Sequence, residues 1–124
     1  VLSEQNLRNS SIAFSVSGKI WVNNHAHILK FNDMATQKIV EYYFASILID
    51  EYITGAAQPK LTQANLNKIG IPIPPTINDQ QTIVARLDVL NEKCKTLQAN
   101  YEKTLSLCDD LKQALLRKAF NGEI

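Results

Sequence analysis

The chain has 124 residues, 45% of them hydrophobic, with a formal net charge of +1 and a pI near 7.9, which is one domain's worth of ordinary globular material. Six Lys/Arg stand against five Asp/Glu before Pro75 and seven against seven after it, so no basic half announces nucleic-acid binding by charge alone. No apolar run reaches the roughly 18 residues of a membrane span; the longest, IVEYYFASILI at 39–49, carries Glu41 in its middle.

The first third of the chain alternates. Ile12, Phe14 and Val16 fall at period two, Ser17-Gly18 turns the chain, and Ile20 and Val22 resume the alternation, which predicts a hairpin. After Asn23-Asn24 the run HAHILKF, 25–31, predicts a further strand. Asn32-Asp33 offers side-chain oxygens to the free N–H groups of a first helical turn. Val40, Tyr43, Phe44 and Ile47 then recur at i, i+3, i+4, i+7, so an amphipathic helix is expected over 35–49. From Thr54 the segment TGAAQPKLTQ is expected to be a loop, since Gly55 and Pro59 break regular structure. Thr62 suits the cap of a short helical turn through Leu66. The stretch 68–73 predicts a short strand whose prolines confine it to an edge. This part is expected to be α+β.

Pro72, Pro74 and Pro75 fix φ near −65° and disfavour helix in the residues before them, so they form a stiff elbow that stops a following helix from propagating backwards. Thr76 and Asp79 then form a variant capping box. From Ile83 a heptad register fits. The a positions are Leu87, Cys94, Tyr101, Cys108 and Leu115, and the d positions are Ile83, Leu90, Leu97, Thr104, Leu111 and Lys118. Nine of these eleven are apolar or weakly polar, which predicts a coiled-coil seam. Asn121-Gly122 ends the helix. A helix of about 40 residues spans roughly 60 Å, and the preceding 75 residues are too few to cover it. Its apolar stripe therefore calls for a second helix, in another chain or in another part of a longer protein. Cys94 and Cys108, about 21 Å apart on such a helix, lie beyond disulfide reach and read as buried small hydrophobes of a reducing compartment, hence a cytoplasmic protein.

The run IPIPPTINDQQTIVARLDVL at 71–90, followed by LKQALLRKAFNGEI at 111–124, resembles the conserved helical region of specificity subunits of type I restriction–modification systems. That region shows an aliphatic-Pro-aliphatic-Pro-Pro run, an acidic-Gln-Gln triplet and a long helix ending in a Phe-small-Gly-Glu-aliphatic tail. Here the triplet is Asp79-Gln80-Gln81, with Asp where Glu is usual, and the tail is Phe120 to Ile124. Upstream, GKIWVNNHAHIL at 18–29 and TGAAQPKLTQANLNKI at 54–69 are similar to the distal half of that family's target-recognition domain. The resemblance implies a partial DNA target-recognition domain over 1–75 and a spacer and dimerisation helix over 76–124. It also implies that the chain, which opens on Val1, begins partway through a recognition domain and is a fragment or processed piece. In the family two such domains read the halves of a bipartite site, and two long antiparallel helices separate them and carry the modification subunits. The partners implied are double-stranded DNA, the methyltransferase subunits and, through them, the restriction subunit. The antiparallel pair is expected here as a homodimer of two copies.

Several residues invite two readings. Asn23, Asn24 and His25, with Lys19 nearby, suit base and phosphate contacts, since Asn bonds adenine bidentately; equally, Asn is a turn former. Gln58, Lys60, Thr62 and Gln63 form a polar loop suited to phosphate and base edges, or simply to solvent. His25 and His27 share a face of a strand, but no third ligand makes a metal site of them. For Trp21 and the Tyr42-Tyr43 pair core packing is expected, since Tyr43 falls on the apolar face of its helix; stacking on a flipped base is the competing role. Pro74-Pro75 lies between Ile73 and Thr76, without the polar anchor and aromatic ring of an amino-methyltransferase motif, and there is no glycine-rich cofactor loop. Asp109-Asp110 reads as a solvated face. No catalytic residue, metal or cofactor is expected. The function expected is non-catalytic DNA sequence recognition; the alternative is a coiled-coil adaptor module with no DNA role, which the near-neutral charge favours.

Overall fold

The computed structural model describes the backbone of Leu2–Ser3 and residues 12–57 and 60–123. The chain divides into two compact units, Val1–Ala85 and Arg86–Ile124. The class is α+β: two small sheets and two short helices precede one long helix.

In the first unit, β1 (Leu2–Ser3) pairs antiparallel with β2 (Ala26–His27) in the register Leu2 to His27 and Ser3 to Ala26. A second antiparallel pair joins β3 (Ile53–Thr54) to β4 (Lys60–Leu61), Ile53 opposite Leu61 and Thr54 opposite Lys60. Between these pairs lie α1 (Met34–Ser46) and a 3-10 turn at Asp50–Tyr52. The core is Val40 and Phe44 of α1 with Ile49 and Leu61, all buried; Leu29, Phe31, Tyr52, Ile53, Leu66 and Ile71 pack around it. Burying each large aliphatic or aromatic side chain contributes about 1.5–3 kcal/mol, so this small cluster holds the β3–β4 pair, through Ile53 and Leu61, to α1.

Local chemistry sets the short elements. The Thr62 hydroxyl accepts from the N–H of Asn65 at 3.3 Å and caps α2 (Gln63–Leu66) as its sequence predicts. The Asn65 amide donates to the Tyr52 carbonyl at 2.8 Å, tying α2 to the 3-10 turn. Asp33 is the N-cap of α1 with extended backbone, but its side chain makes no capping hydrogen bond.

The sequence-based reading needs correction in four places. The expected hairpin over 12–22 is absent as a ladder. Its alternating residues instead line an open apolar cleft of about 360 Å³ against α1, with Phe14, Val16 and Ile20 facing Val40 and Phe44. The strand expected over 25–31 shrinks to β2. Conversely, the segment from Thr54 is not all loop, because Thr54 pairs with Lys60 across the turn containing Gly55, whose φ is 104°. Residues 68–73 form no strand; Ile69 and Ile71 reach the core from extended chain, which prolines leave with too few donors for a ladder.

The long helix α3 runs unbroken over Ile77–Phe120. Its 44 residues span about 66 Å. The Thr76 hydroxyl accepts from Asp79 N–H at 3.2 Å and donates to the Asp79 carboxylate at 2.6 Å, a closed variant of the capping box. At the other end Glu123 N–H reaches Lys118 O at 2.9 Å and Gly122 N–H reaches Ala119 O at 3.2 Å, with Gly122 at φ 73°. This is a Schellman termination, and glycine supplies the left-handed residue it needs. No described helix is long and apolar enough to cross a membrane.

Candidate nucleic-acid interface

The candidate contact residues fall on two segments of the first unit. On the first, Lys19, Asn23, Asn24 and His25 are exposed. The Asn23 side-chain oxygen accepts from His25 N–H at 3.1 Å, so Asn23 fixes a turn that leads into β2. On the second, Lys60, Thr62 and Gln63 are exposed, at the end of the β3–β4 hairpin and the start of α2. Gln58 lies outside the described residues. The Thr62 hydroxyl is engaged as acceptor in capping, which leaves its proton free to donate outward.

One hydrogen bond joins the two segments. His27 Nε2 lies 2.6 Å from the Leu61 carbonyl oxygen. Since a carbonyl only accepts, the ring nitrogen carries the proton there. His27 is two residues beyond His25, and Leu61 lies between Lys60 and Thr62, so this contact anchors both candidate segments at one place. His27 thus acts as a strut between them. Among the described residues no three His, Cys, Asp or Glu side chains are grouped to hold a metal.

Three features escaped the sequence. Trp21 is 96% exposed, which overturns the core role expected for it. The alternation of Ile20 and Val22 already put Trp21 on the opposite face with Lys19 and Asn23, and that signal could have found it. Tyr42 and Tyr43 are half-buried on α1. The strut His27 and the buried Gln80 depend on partners 34 and 44 residues away, which no local pattern marks.

In the second unit the seam residues are unclothed. Ile83, still in the first unit, is 39% exposed and Leu87 is half-buried, whereas Leu90, Leu97, Tyr101, Leu111 and Leu115 are exposed. Cys94 and Cys108 are exposed as well, not buried as expected, because none of the described residues covers that face. The exposed apolar surface is also broader than the a/d stripe: Leu105, Leu107 and Leu116 flank it. A shallow apolar groove there is lined by Cys108, Leu111, Leu115, Leu116 and Ala119 beside Lys112.

The family model for the type I restriction modification DNA specificity domain matches residues 3–106. The chain is 37% identical over 84 residues, 68% of its length, to a Haemophilus influenzae protein described as a type I restriction enzyme specificity subunit, covering 21% of that protein. It is 35% identical over 66 residues, 53% of its length, to the EcoDI type I restriction enzyme specificity subunit of Escherichia coli, covering 15% of that protein. The chain thus spans about a fifth or less of the length of the curated relatives it matches. No solved structure matches it.

Proposed function

Because this chain belongs to the type I restriction modification DNA specificity family, we propose that it is a non-catalytic DNA sequence-recognition component of a type I restriction–modification complex. In this reading the first unit reads part of one DNA half-site. Lys19 and Lys60 meet phosphates, while Asn23, Asn24, His25, Gln58, Thr62 and Gln63 present donors and acceptors to base edges or sugar–phosphate oxygens. Trp21, exposed on the first segment, belongs to the same surface and offers a ring that inserts or stacks.

The observation that carries the reading is α3, a 44-residue helix whose seam stays open to solvent. A helix that exposes so many apolar side chains buries them against another helix. Two copies paired antiparallel through Ile83, Leu87, Leu90, Cys94, Leu97, Tyr101, Cys108, Leu111 and Leu115 hold two reading units apart, and the helix length sets the gap between half-sites. The added breadth at Leu105, Leu107 and Leu116 supports a further partner, the modification subunit, packed beside the pair and bringing the restriction subunit with it. Such a complex works on DNA in the cytoplasm, where Cys94 and Cys108 stay reduced.

Footprinting of the full-length protein assembled with its methyltransferase subunit tests this reading. Protection of one bipartite sequence is expected; protection without sequence preference would refute it. The net charge of +1 supports a second reading, a coiled-coil adaptor that touches no DNA. An adaptor predicts no salt-dependent DNA binding by the assembled complex.

A further inference from the structure

Gln80 is 5% exposed, a buried polar side chain on the first turn of a helix otherwise half-buried or open to solvent. Both ends of its amide are used inside the first unit. The oxygen accepts from the Thr36 hydroxyl of α1 at 2.6 Å, and the nitrogen donates to the Pro74 carbonyl at 2.8 Å. The assignment is chemically forced, because the carbonyl can only accept and so the amide nitrogen must face it. Prolines at 72, 74 and 75 strip that run of backbone donors, and the Gln80 side chain supplies one in their place.

We propose that Gln80 is a positioning residue that locks the first turn of α3 to α1 in one register, and that this lock makes the complex selective for the distance between DNA half-sites. The inference rests on the reading above. Slipping the helix by one residue turns Gln80 by about 100°, away from both partners, and leaves its buried amide without the half-buried Thr36 hydroxyl and Pro74 carbonyl. Unpaired buried groups cost far more than a shifted apolar contact, so a glutamine here specifies register where an aliphatic residue would tolerate neighbouring ones. From Gln80 to Phe120 the helix extends about 60 Å, and the residue that fixes its first turn fixes the point from which that length is counted. A slip of one residue, about 1.5 Å, in each of two paired copies changes the separation by about 3 Å, close to the roughly 3.4 Å rise of one base pair.

The test uses the full-length protein assembled with its methyltransferase subunit, on DNA selected from a random library by the unaltered complex. Affinity is measured at the preferred half-site spacing and at one base pair more and less. Thr36→Val, isosteric but without the hydroxyl, and Gln80→Met are expected to lower the ratio of preferred to shifted affinity by about threefold to tenfold, the factor one hydrogen bond commands. Thr36→Ser, which restores the donor, is expected to keep the unaltered ratio. Should Gln80→Met fail to assemble, Thr36→Val alone decides. Variants that lose affinity equally at every spacing, or keep the unaltered ratio, overturn the role of Gln80 and leave the functional reading intact. An unaltered complex with no spacing preference overturns the reading itself.

Discussion

Lys60 and Asn24 stand on different segments, and the proposed reading gives them different work against DNA. A lysine ammonium is a point charge that neutralises phosphate and reads no sequence, whereas an asparagine amide matches a base edge. Lys60→Ala is therefore expected to weaken binding of the assembled complex uniformly across sequences and to reduce the salt slope by about one. Asn24→Ala is expected to cost about 1–3 kcal/mol on the preferred sequence and little on others, which relaxes specificity at one position. Titrations at several salt concentrations on matched and mismatched duplexes check both. Residues with local roles were legible in the sequence. Thr62, Thr76 and Gly122 act on backbone groups within four residues, and each does what its neighbours suggest. His27 and Gln80 were not, because long-range bonding depends on where distant segments meet.

At the scale of elements, α3 is legible from its repeat and α1 from its i, i+3, i+4 pattern, each resting on near neighbours in sequence. The small strands are not. Period-two alternation in Phe14, Val16 and Ile20 reports that one side faces α1, but it does not report whether a neighbouring strand is there to make a ladder. Cys94 and Cys108 show the same limit, since a seam position is buried only when a partner helix covers it. Leu97, half-exposed at the middle of the seam, is the place to test that cover. Leu97→Glu puts a charge into a paired interface, where burying it unpaired is strongly unfavourable. Sedimentation velocity at tens of micromolar is expected to show a dimer for the unaltered chain and a monomer for the variant. A monomer in both would contradict the paired-helix account.

The whole molecule joins a reading unit of modest size to a helix that no single copy can clothe. In the proposed reading its parts answer to different physics: polar side chains that meet phosphate and base edges, a register lock at Gln80, and an apolar seam whose length sets a distance. Family membership rests on a match over 3–106, which reaches across both units. The spacing claim is the central one, and it is a claim about length alone. Duplicating the heptad Leu97–Lys103 keeps a and d positions in phase and lengthens α3 by about 10.5 Å, close to three base pairs of DNA. Selection of bound sequences by the assembled complex is the direct measurement. The account predicts the same two half-sites with their gap widened by about three base pairs; the same half-sites at the original gap would contradict it.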